Sequence, residues 1–281
     1  MHTKRATHTP VDYGYLRRVV LKHSHNVLHS SRDYLFDSRL SVLVRNSGMN
    51  TLHELVEHLR QSGDARLEAA VAHAMTINET SFFRDSRPFE LLRTELLPQL
   101  VNARRSTRSL RFWSAACSTG QEAYSLAMLV RAEFPLLSQW SVRVDGTDIR
   151  EDLVRYAAQG RYARMEVNRG LPARHMLRFF EQSGDDWVAR PEIRALCSFR
   201  QANLGNPPLA YEQSFDVILL RNVMLYFGQE TRRALLAEVH RLLAPDGVLL
   251  LGSSEQPADM SLWRSAIAGG TCYFRPKASR Q

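Results

Sequence analysis

Cysteine is scarce in this chain of 281 residues. Cys117, Cys197 and Cys272 are odd in number and far apart, which excludes a disulfide framework and every paired spacing of a zinc site. No run of roughly eighteen apolar residues occurs, so no membrane-spanning helix is expected. The start, Met1–Pro10, is polar and lacks the apolar stretch of a secretory signal. A soluble protein of the reducing cytoplasm, without direct membrane insertion, is the expectation. Lysine is nearly missing too: only Lys4, Lys22 and Lys277 stand among 37 basic residues, so the net charge of +8 is carried by arginine, whose planar fork suits carboxylates and phosphates alike. The arginines are spread along the chain without aromatic interleaving, so an acidic protein partner explains the charge as well as nucleic acid does, and composition alone does not choose between them. Low-complexity tracts and internal repeats are absent.

What is present changes character along the chain. The first part reads as short amphipathic helices with capping signals. They are Tyr15–Val27; a second opened by Ser31 and ended by Asn46-Ser47-Gly48; a third opened by Asn50 or Thr51 and closed by Gly63; and a fourth through Leu67, Val71 and Ala74. From Arg111 onward, apolar runs of strand length alternate with amphipathic helices, the pattern of an α/β sheet. Strands are expected at Arg111–Ala115, Ser141–Thr147, Ser198–Gln201, Phe215–Leu220, Val248–Gly252 and Cys272–Phe274, with helices near Glu122–Phe134, Glu151–Ala158 and Thr231–Leu243. Residues 162–196 interrupt the alternation with a Ser183-Gly184-Asp185 turn signal and a strand-like Trp187–Ala189, which predicts an inserted lobe. The tail Lys277–Gln281 is expected to fray.

The stretch Phe112-Trp113-Ser114-Ala115-Ala116-Cys117-Ser118-Thr119-Gly120-Gln121-Glu122 runs from a strand through a small-residue turn into a helix. Such a turn lets a ligand approach the backbone. Its single glycine and the acid Glu122 at the helix start disfavour a phosphate and suit a positively charged cofactor such as a sulfonium. Asp148, at the end of the second strand, is placed to accept hydrogen bonds from ribose hydroxyls, or else to cap the following helix. Asn203-Leu204 and Arg221-Asn222 follow two further strands, adding polar groups along the carboxyl edge where open α/β sheets bind ligands.

Five segments in order, Asn78-Glu79-Thr80-Ser81-Phe82-Phe83-Arg84-Asp85, the strand and turn above, Thr147-Asp148-Ile149, Asn203-Leu204 and Arg221-Asn222-Val223-Met224-Leu225-Tyr226-Phe227, resemble the chemoreceptor glutamate methyltransferases, the CheR family. The resemblance covers nearly the whole chain. It implies a Rossmann-like, class I S-adenosylmethionine-dependent methyltransferase domain over residues 77–281, with a small inserted β subdomain at about 162–196. An all-α domain over residues 1–76, read as receptor-contacting, precedes it. It implies further that Asn78, Thr80, Arg84, Glu122, Asp148, Asn203, Leu204, Arg221 and Asn222 line the S-adenosylmethionine site, and that Arg84 and Tyr226 face the methyl group and the incoming carboxylate. The product would be S-adenosylhomocysteine, and the partners the acidic methylation helices of membrane chemoreceptors. In some members the β subdomain grips a receptor C-terminal peptide; the short turn between Phe180 and Trp187 points to a member that does not depend on one. The chain departs from the family pattern at Gln121, where a second Glu is frequent, at Ala123 for Pro, and at Arg150 and Gly228 for Asp.

Chemical decoys are few. Asn206-Pro207-Pro208-Leu209 resembles the Asn-Pro-Pro-aromatic motif of amide and base methyltransferases, but precedes the fourth strand and ends in leucine. His25 and His29 have helical spacing without a third ligand, and Cys117 is read as a small turn residue. Arg39 and Arg45 either offer acidic receptor helices a basic face or lie on a plain solvated helix face. Two other classes, a nucleic-acid methyltransferase and a non-catalytic cofactor-binding scaffold, stand as alternatives. The first calls for a base-recognition module, the second for substitution at Arg84 or Tyr226.

Overall fold

The computed structural model describes residues 10–278; the polar start Met1–Thr9 and the tail end Ser279–Gln281, on which the leader and fraying expectations fall, lie outside the described residues. The chain divides into two compact units. One runs through Ile77 and includes Tyr226–Gly228; the other holds Asn78–Leu225 and Gln229–Gln281.

The described residues of the first unit form four α-helices, three of them started by a capping side chain. Asp12 caps α1 (Tyr13–Ser24) by accepting the Tyr15 N–H, and His25 ends it in the left-handed conformation, three residues sooner than the sequence pattern implied. The second helix, α2 (Tyr34–Asn46), begins after a 3₁₀ turn over Ser30–Arg32, so Ser31 is not its cap. Thr51 caps α3 (Leu52–Ser62), with Gly63 left-handed at its end, and Asp64 caps α4 (Ala65–Ala74). Leu16, Val20, Phe36, Leu40, Leu55, Val56 and Val71 form the fully buried core. Tyr226–Gly228 joins this unit because the Tyr226 carbonyl accepts the Val27 N–H at 2.8 Å and Phe227 forms an isolated antiparallel bridge with Asn26.

Arg39 departs from its expected role. Its Nη1 donates to the carbonyls of Met75 and Thr76 at 3.0 and 3.2 Å, satisfying acceptors at the end of α4, whereas Arg45 is exposed. Glu68, 7% exposed, accepts from Lys22 Nζ at 2.6 Å and lies 2.7 Å from His23 Nε2. The Lys22 and His23 hydrogen bonds hold its carboxyl below the usual range. A carboxyl depressed in the folded state stabilises above its unfolded value of about 4.3, and that contribution is lost as pH falls through the folded value. Glu68→Gln should therefore lower the melting temperature at pH 7, and the difference from the parent should shrink on acidification below about pH 4. Thermal unfolding of both chains across pH 3–7 measures it, and a pH-independent gap would contradict the assignment.

The second unit opens on a helical run missed by sequence reading: α5 (Arg87–Leu91), a π-turn over Leu92–Leu96, then α6 (Leu97–Ala103). Pro88 and Pro98 punctuate the apolar periodicity there, but Pro88 occupies the first turn of its helix, where no backbone donor is needed, and Pro98 directly follows the π-turn, in which the Leu97 N–H bonds to the Leu92 carbonyl. Next come β1 (Ser109–Ala115), α7 (Gln121–Glu133), β2 (Ser141–Asp148) and α8 (Glu151–Gln159). The inserted lobe holds β3 (Arg161–Ala163), α9 (Arg164–Val167), α10 (Ala173–Phe179), β4 (Phe180–Ser183), β5 (Asp186–Ala189) and α11 (Pro191–Arg194). The chain then returns through β6 (Cys197–Gln201), β7 (Phe215–Leu220), α12 (Gln229–Leu242), β8 (Leu243–Leu251), β9 (Trp263–Ala268) and β10 (Thr271–Pro276). Sequence reading missed β9, four of whose six residues are exposed, because it has no buried alternation to betray it.

The large sheet has the order β6-β2-β1-β7-β8-β10-β9, parallel through β8 and antiparallel thereafter. Every residue of β7 is buried, as a central parallel strand covered on both faces requires. The lobe is a separate antiparallel sheet, β3-β5-β4. It sits on Phe82, whose ring meets Tyr162 at 5.1 Å and Phe180 at 5.6 Å edge to face. The fold is thus an α/β Rossmann-like sheet with a small β insertion, preceded in the chain by a helical unit. Near the amino ends of the strands, Arg104 donates to Asp216 from Nε at 2.8 Å and to both oxygens of Asp246, while Asp216 also accepts the Arg111 N–H at 2.8 Å. Strand order reverses between β1 and β7, so their carboxyl ends flank the crevice that this topology reserves for a ligand.

Candidate active site

The chain leaves β1 through Ala116, Cys117, Ser118, Thr119 and Gly120. Ala116, Ser118 and Gly120 have positive φ, of 59°, 51° and 93°. A non-glycine residue held there carries strain, and such strain gathers at functional sites. Phe83 (48°), Asp85 (56°) and Asn222 (59°) share the conformation in the two other segments that converge here. The turn is held by its neighbours. Cys117 N–H donates to the Thr147 carbonyl at 2.8 Å, Tyr162 OH donates to the Thr119 carbonyl at 2.8 Å, and Ser118 Oγ donates to the Asn78 carbonyl at 2.8 Å.

Gly120 is constrained by conformation and by space. A Cβ there would lie 2.8 Å from Ala157 Cβ and 3.3 Å from Ala157 Cα. Gly120→Ala should cost about 2 to 4 kcal/mol, visible as a fall of at least about 4 °C in thermal unfolding; an unchanged melting temperature would show that the turn can relax.

Glu122 and Arg221 form the centre. Arg221, at the end of β7 with a side chain only 2% exposed, donates from Nη1 to Glu122 Oε2 at 3.0 Å and from Nη2 to Asp85 Oδ2 and the Arg84 carbonyl at 2.8 and 2.9 Å. The other oxygen of Glu122 accepts from Ser114 Oγ at 2.6 Å. Burial pushes the Glu122 carboxyl up, and Arg221 and Ser114 pull it back towards the ionised form. Asp148, at the end of β2 and 7% exposed, accepts the Ser118 N–H on one oxygen at 2.9 Å and the Arg150 N–H on the other at 3.0 Å. Burial raises its carboxyl as well, opposed by those two N–H groups. It is not the cap of α8, whose N-terminal flanking residue is Arg150. A carboxylate has about four acceptor positions, so Asp148 can accept further donors.

The remaining residues named from sequence are placed as follows. Asn78 and Thr80, with Thr119, Gln121, Glu166 and Arg169, line a cavity of about 240 Å³. Arg84 donates from Nη1 to the Glu79 carbonyl at 2.8 Å, which fixes the guanidinium next to the segment that presents it. Asn203 accepts the Gly205 N–H on its side-chain oxygen at 3.0 Å, and Leu204 is buried. Asn222 directly follows Arg221, while Tyr226 ends a 3₁₀ turn over Met224–Tyr226 and groups with the helical unit. Thus Arg84, Glu122 and Arg221 are linked through hydrogen bonds, and Ser118 separately joins Asp148 to Asn78.

Two departures from the family pattern find local partners: buried Gln121 donates from Nε2 to Glu166 at 3.3 Å, and Arg150 pairs with Asp152. Asn206–Leu209 is a loop before β7, pinned by the Leu209 N–H to Glu238 at 2.7 Å. Burial drives the Cys117 thiol upward, away from nucleophilic chemistry. Among the described residues no group of three or more His, Cys, Asp or Glu is arranged to hold a metal ion. Sequence reading missed Glu255, whose carboxylate accepts the Asn222 N–H at 2.7 Å.

One buried and one largely buried carboxylate, with a turn of small residues at the sheet's switch point, suit a positively charged ligand rich in donors. Comparison with known proteins gives the same direction. The model of the CheR methyltransferase SAM-binding domain matches residues 78–270. The chain is 39% identical over 248 residues to chemotaxis protein methyltransferase 1 of Pseudomonas aeruginosa, covering 87% of this chain and 89% of that protein. It is 34% identical over 249 residues to chemotaxis protein methyltransferase Cher2 of Pseudomonas putida, covering 87% and 90%. A solved TehB-like SAM-dependent methyltransferase from Corynebacterium glutamicum is 17% identical, with a TM-score of 0.38 over 69% of this chain and 96% of that one. The chain therefore belongs to the CheR methyltransferase family, and its Rossmann-like unit is that family's domain for binding S-adenosylmethionine.

Proposed function

We propose that this protein transfers the methyl group of S-adenosylmethionine to glutamate side-chain carboxylates of chemoreceptors, leaving a methyl ester and S-adenosylhomocysteine. The observation that carries the reading is the pair of buried Arg221 and largely buried Glu122 at the switch point, flanked by Asp148, with Arg84 in the adjoining segment. When bound, S-adenosylmethionine supplies an electrophilic methyl on a positively charged sulfur. In this reading Asp148 accepts from the ribose hydroxyls, and Asn78, Thr80, Arg84, Glu122, Asn203, Leu204, Arg221 and Asn222 complete the cofactor's surroundings.

A glutamate carboxylate, with a reference pKa of about 4.3, is ionised at neutral pH and needs no general base. What the protein must supply is alignment and exclusion of water. Arg84 and Tyr226 orient the acceptor by hydrogen bonds and move no proton. The partner is the acidic methylation helix of a membrane chemoreceptor, met in the cytoplasm. Arg45 remains available for it on α2, whereas Arg39 is occupied. No helix among the described residues is long and apolar enough to cross a membrane. The β4–β5 hairpin turns through Gly184-Asp185 alone, which supports recognition without a receptor C-terminal peptide.

The test is incubation with methyl-labelled S-adenosylmethionine and receptor-bearing membranes from the same source. Label should enter membrane protein and be released by alkali as methanol. Label in RNA, or label on protein that resists alkali, would replace this reading with one of the alternative classes.

A further inference from the structure

Glu255 stands in the loop after β8, outside every motif singled out from the sequence. It is 8% exposed and forms no ion pair among the described residues. Its partners are instead main-chain N–H groups. Oε2 accepts from Asn222 at 2.7 Å and from Gly252 at 2.9 Å, and Oε1 lies 3.3 Å from the Leu225 N–H. Charge-assisted bonds of this kind are stronger than neutral ones, and converging N–H groups form a nest for an anion. Here the anion is the chain's own side chain.

The nest ties together two strand ends. Gly252 directly follows β8, and Asn222 stands two residues after β7 with φ of 59°, a conformation that a non-glycine residue keeps only when its surroundings enforce it. The corner is close-packed: a Cβ on Gly252 would lie 2.6 Å from Glu255 Oε2, 2.9 Å from Asn222 Nδ2 and 3.0 Å from Asn222 N. Leu225, the third donor, directly precedes Tyr226. One carboxylate thus fixes the backbone at the start and near the end of the segment that carries Arg221, Asn222 and Tyr226.

We propose that Glu255 is a positioning residue for methyl transfer, holding the segment from Asn222 to Tyr226 in the shape the reaction requires. The inference rests on the assignment of Tyr226 and Asn222 to the site. An amide at this place has one acceptor oxygen. Turned to serve Asn222 and Gly252, it sets its NH₂ against the Leu225 N–H and releases the turn leading to Tyr226. Glu255→Gln should therefore bind S-adenosylhomocysteine within about threefold of the parent, while kcat at saturating donor and receptor falls on the order of 10- to 100-fold, the scale of a small misplacement.

The experiment pairs calorimetry with S-adenosylhomocysteine and steady-state methylation of receptor membranes, well below the melting temperature of each chain. A kcat within twofold of the parent overturns the proposal, as does a loss confined to donor affinity. If Glu255→Gln does not fold, Glu255→Asp keeps the charge, shortens the reach, and is judged by the same split between kcat and affinity. Amide exchange on the unmodified chain adds a direct reading: Asn222, Gly252 and Leu225 should exchange far more slowly than exposed Ser253 and Ser254, and equal rates would remove the nest itself. Absence of donor binding or methylation by the parent would defeat the underlying functional assignment instead, so the two failures are distinguishable.

Discussion

Arg221→Met should lower stability by about 3 to 5 kcal/mol and abolish measurable binding of S-adenosylhomocysteine. The substitution leaves the largely buried Glu122 with Ser114 as its remaining side-chain hydrogen-bond partner among the described residues, and an uncompensated desolvated charge is the costly outcome, far more than the loss of the pair as such. Asp85 contributes little to the penalty, since its side chain is 47% exposed and water screens it. Glu122 also sets the pH dependence. Burial raises its carboxyl already, and removing the guanidinium raises it further. A group raised in the folded state favours folding in acid and loses that advantage as pH climbs through its folded value. The deficit of Arg221→Met is therefore expected to be smallest in acid and full at neutral pH. Adding Glu122→Gln to it should restore part of the stability without restoring binding. Melting curves from pH 4 to 8 for the parent, the two single variants and the double, with calorimetry at pH 7, measure this; additive losses in the double variant would show that the two residues do not act as a pair.

Asp148→Ala should weaken S-adenosylmethionine binding by about 100-fold. The carboxylate holds the N–H groups of Ser118 and Arg150, so its removal frees the turn that the ligand must approach and takes away its own acceptor positions. A hydrogen bond to a charged group is worth about 1.5 to 3 kcal/mol, and one such bond to the ligand accounts for the expected factor. Asp148→Asn keeps one acceptor and should fall between. Isothermal titration with S-adenosylhomocysteine at low temperature separates affinity from folding, and an Asp148→Ala affinity within threefold of the parent would remove this residue from the ligand's surroundings.

The alternation of apolar runs and amphipathic helices made the sheet legible, and β7 begins and ends at the residues that the pattern marks, because a strand buried on both faces is a continuous apolar run. The run through Pro88 and Pro98 was illegible for the opposite reason: proline in a first turn and proline in a helix interior look alike in one dimension. For the candidate site, residue types and their order drew attention to Glu122, Asp148 and Arg221. That Glu122 and Arg221 face one another depends on the neighbouring placement of β1 and β7, which only strand order determines. Glu255 was hidden further still. A carboxylate that serves N–H groups leaves no trace in side-chain chemistry, and its one available sign was an acid just after an apolar strand. Arg39 shows the converse: its charge suggested a surface role, while its reach was taken by two carbonyls at the end of α4.

The ionic staple of Arg104 with Asp216 and Asp246 lies at the rim of the sheet opposite the ligand's crevice. The charged clamp and the crevice thus occupy different rims of one sheet. A substitution that tightens the clamp should therefore raise the melting temperature without reshaping the crevice, so hardiness can be sought at a distance from the ligand.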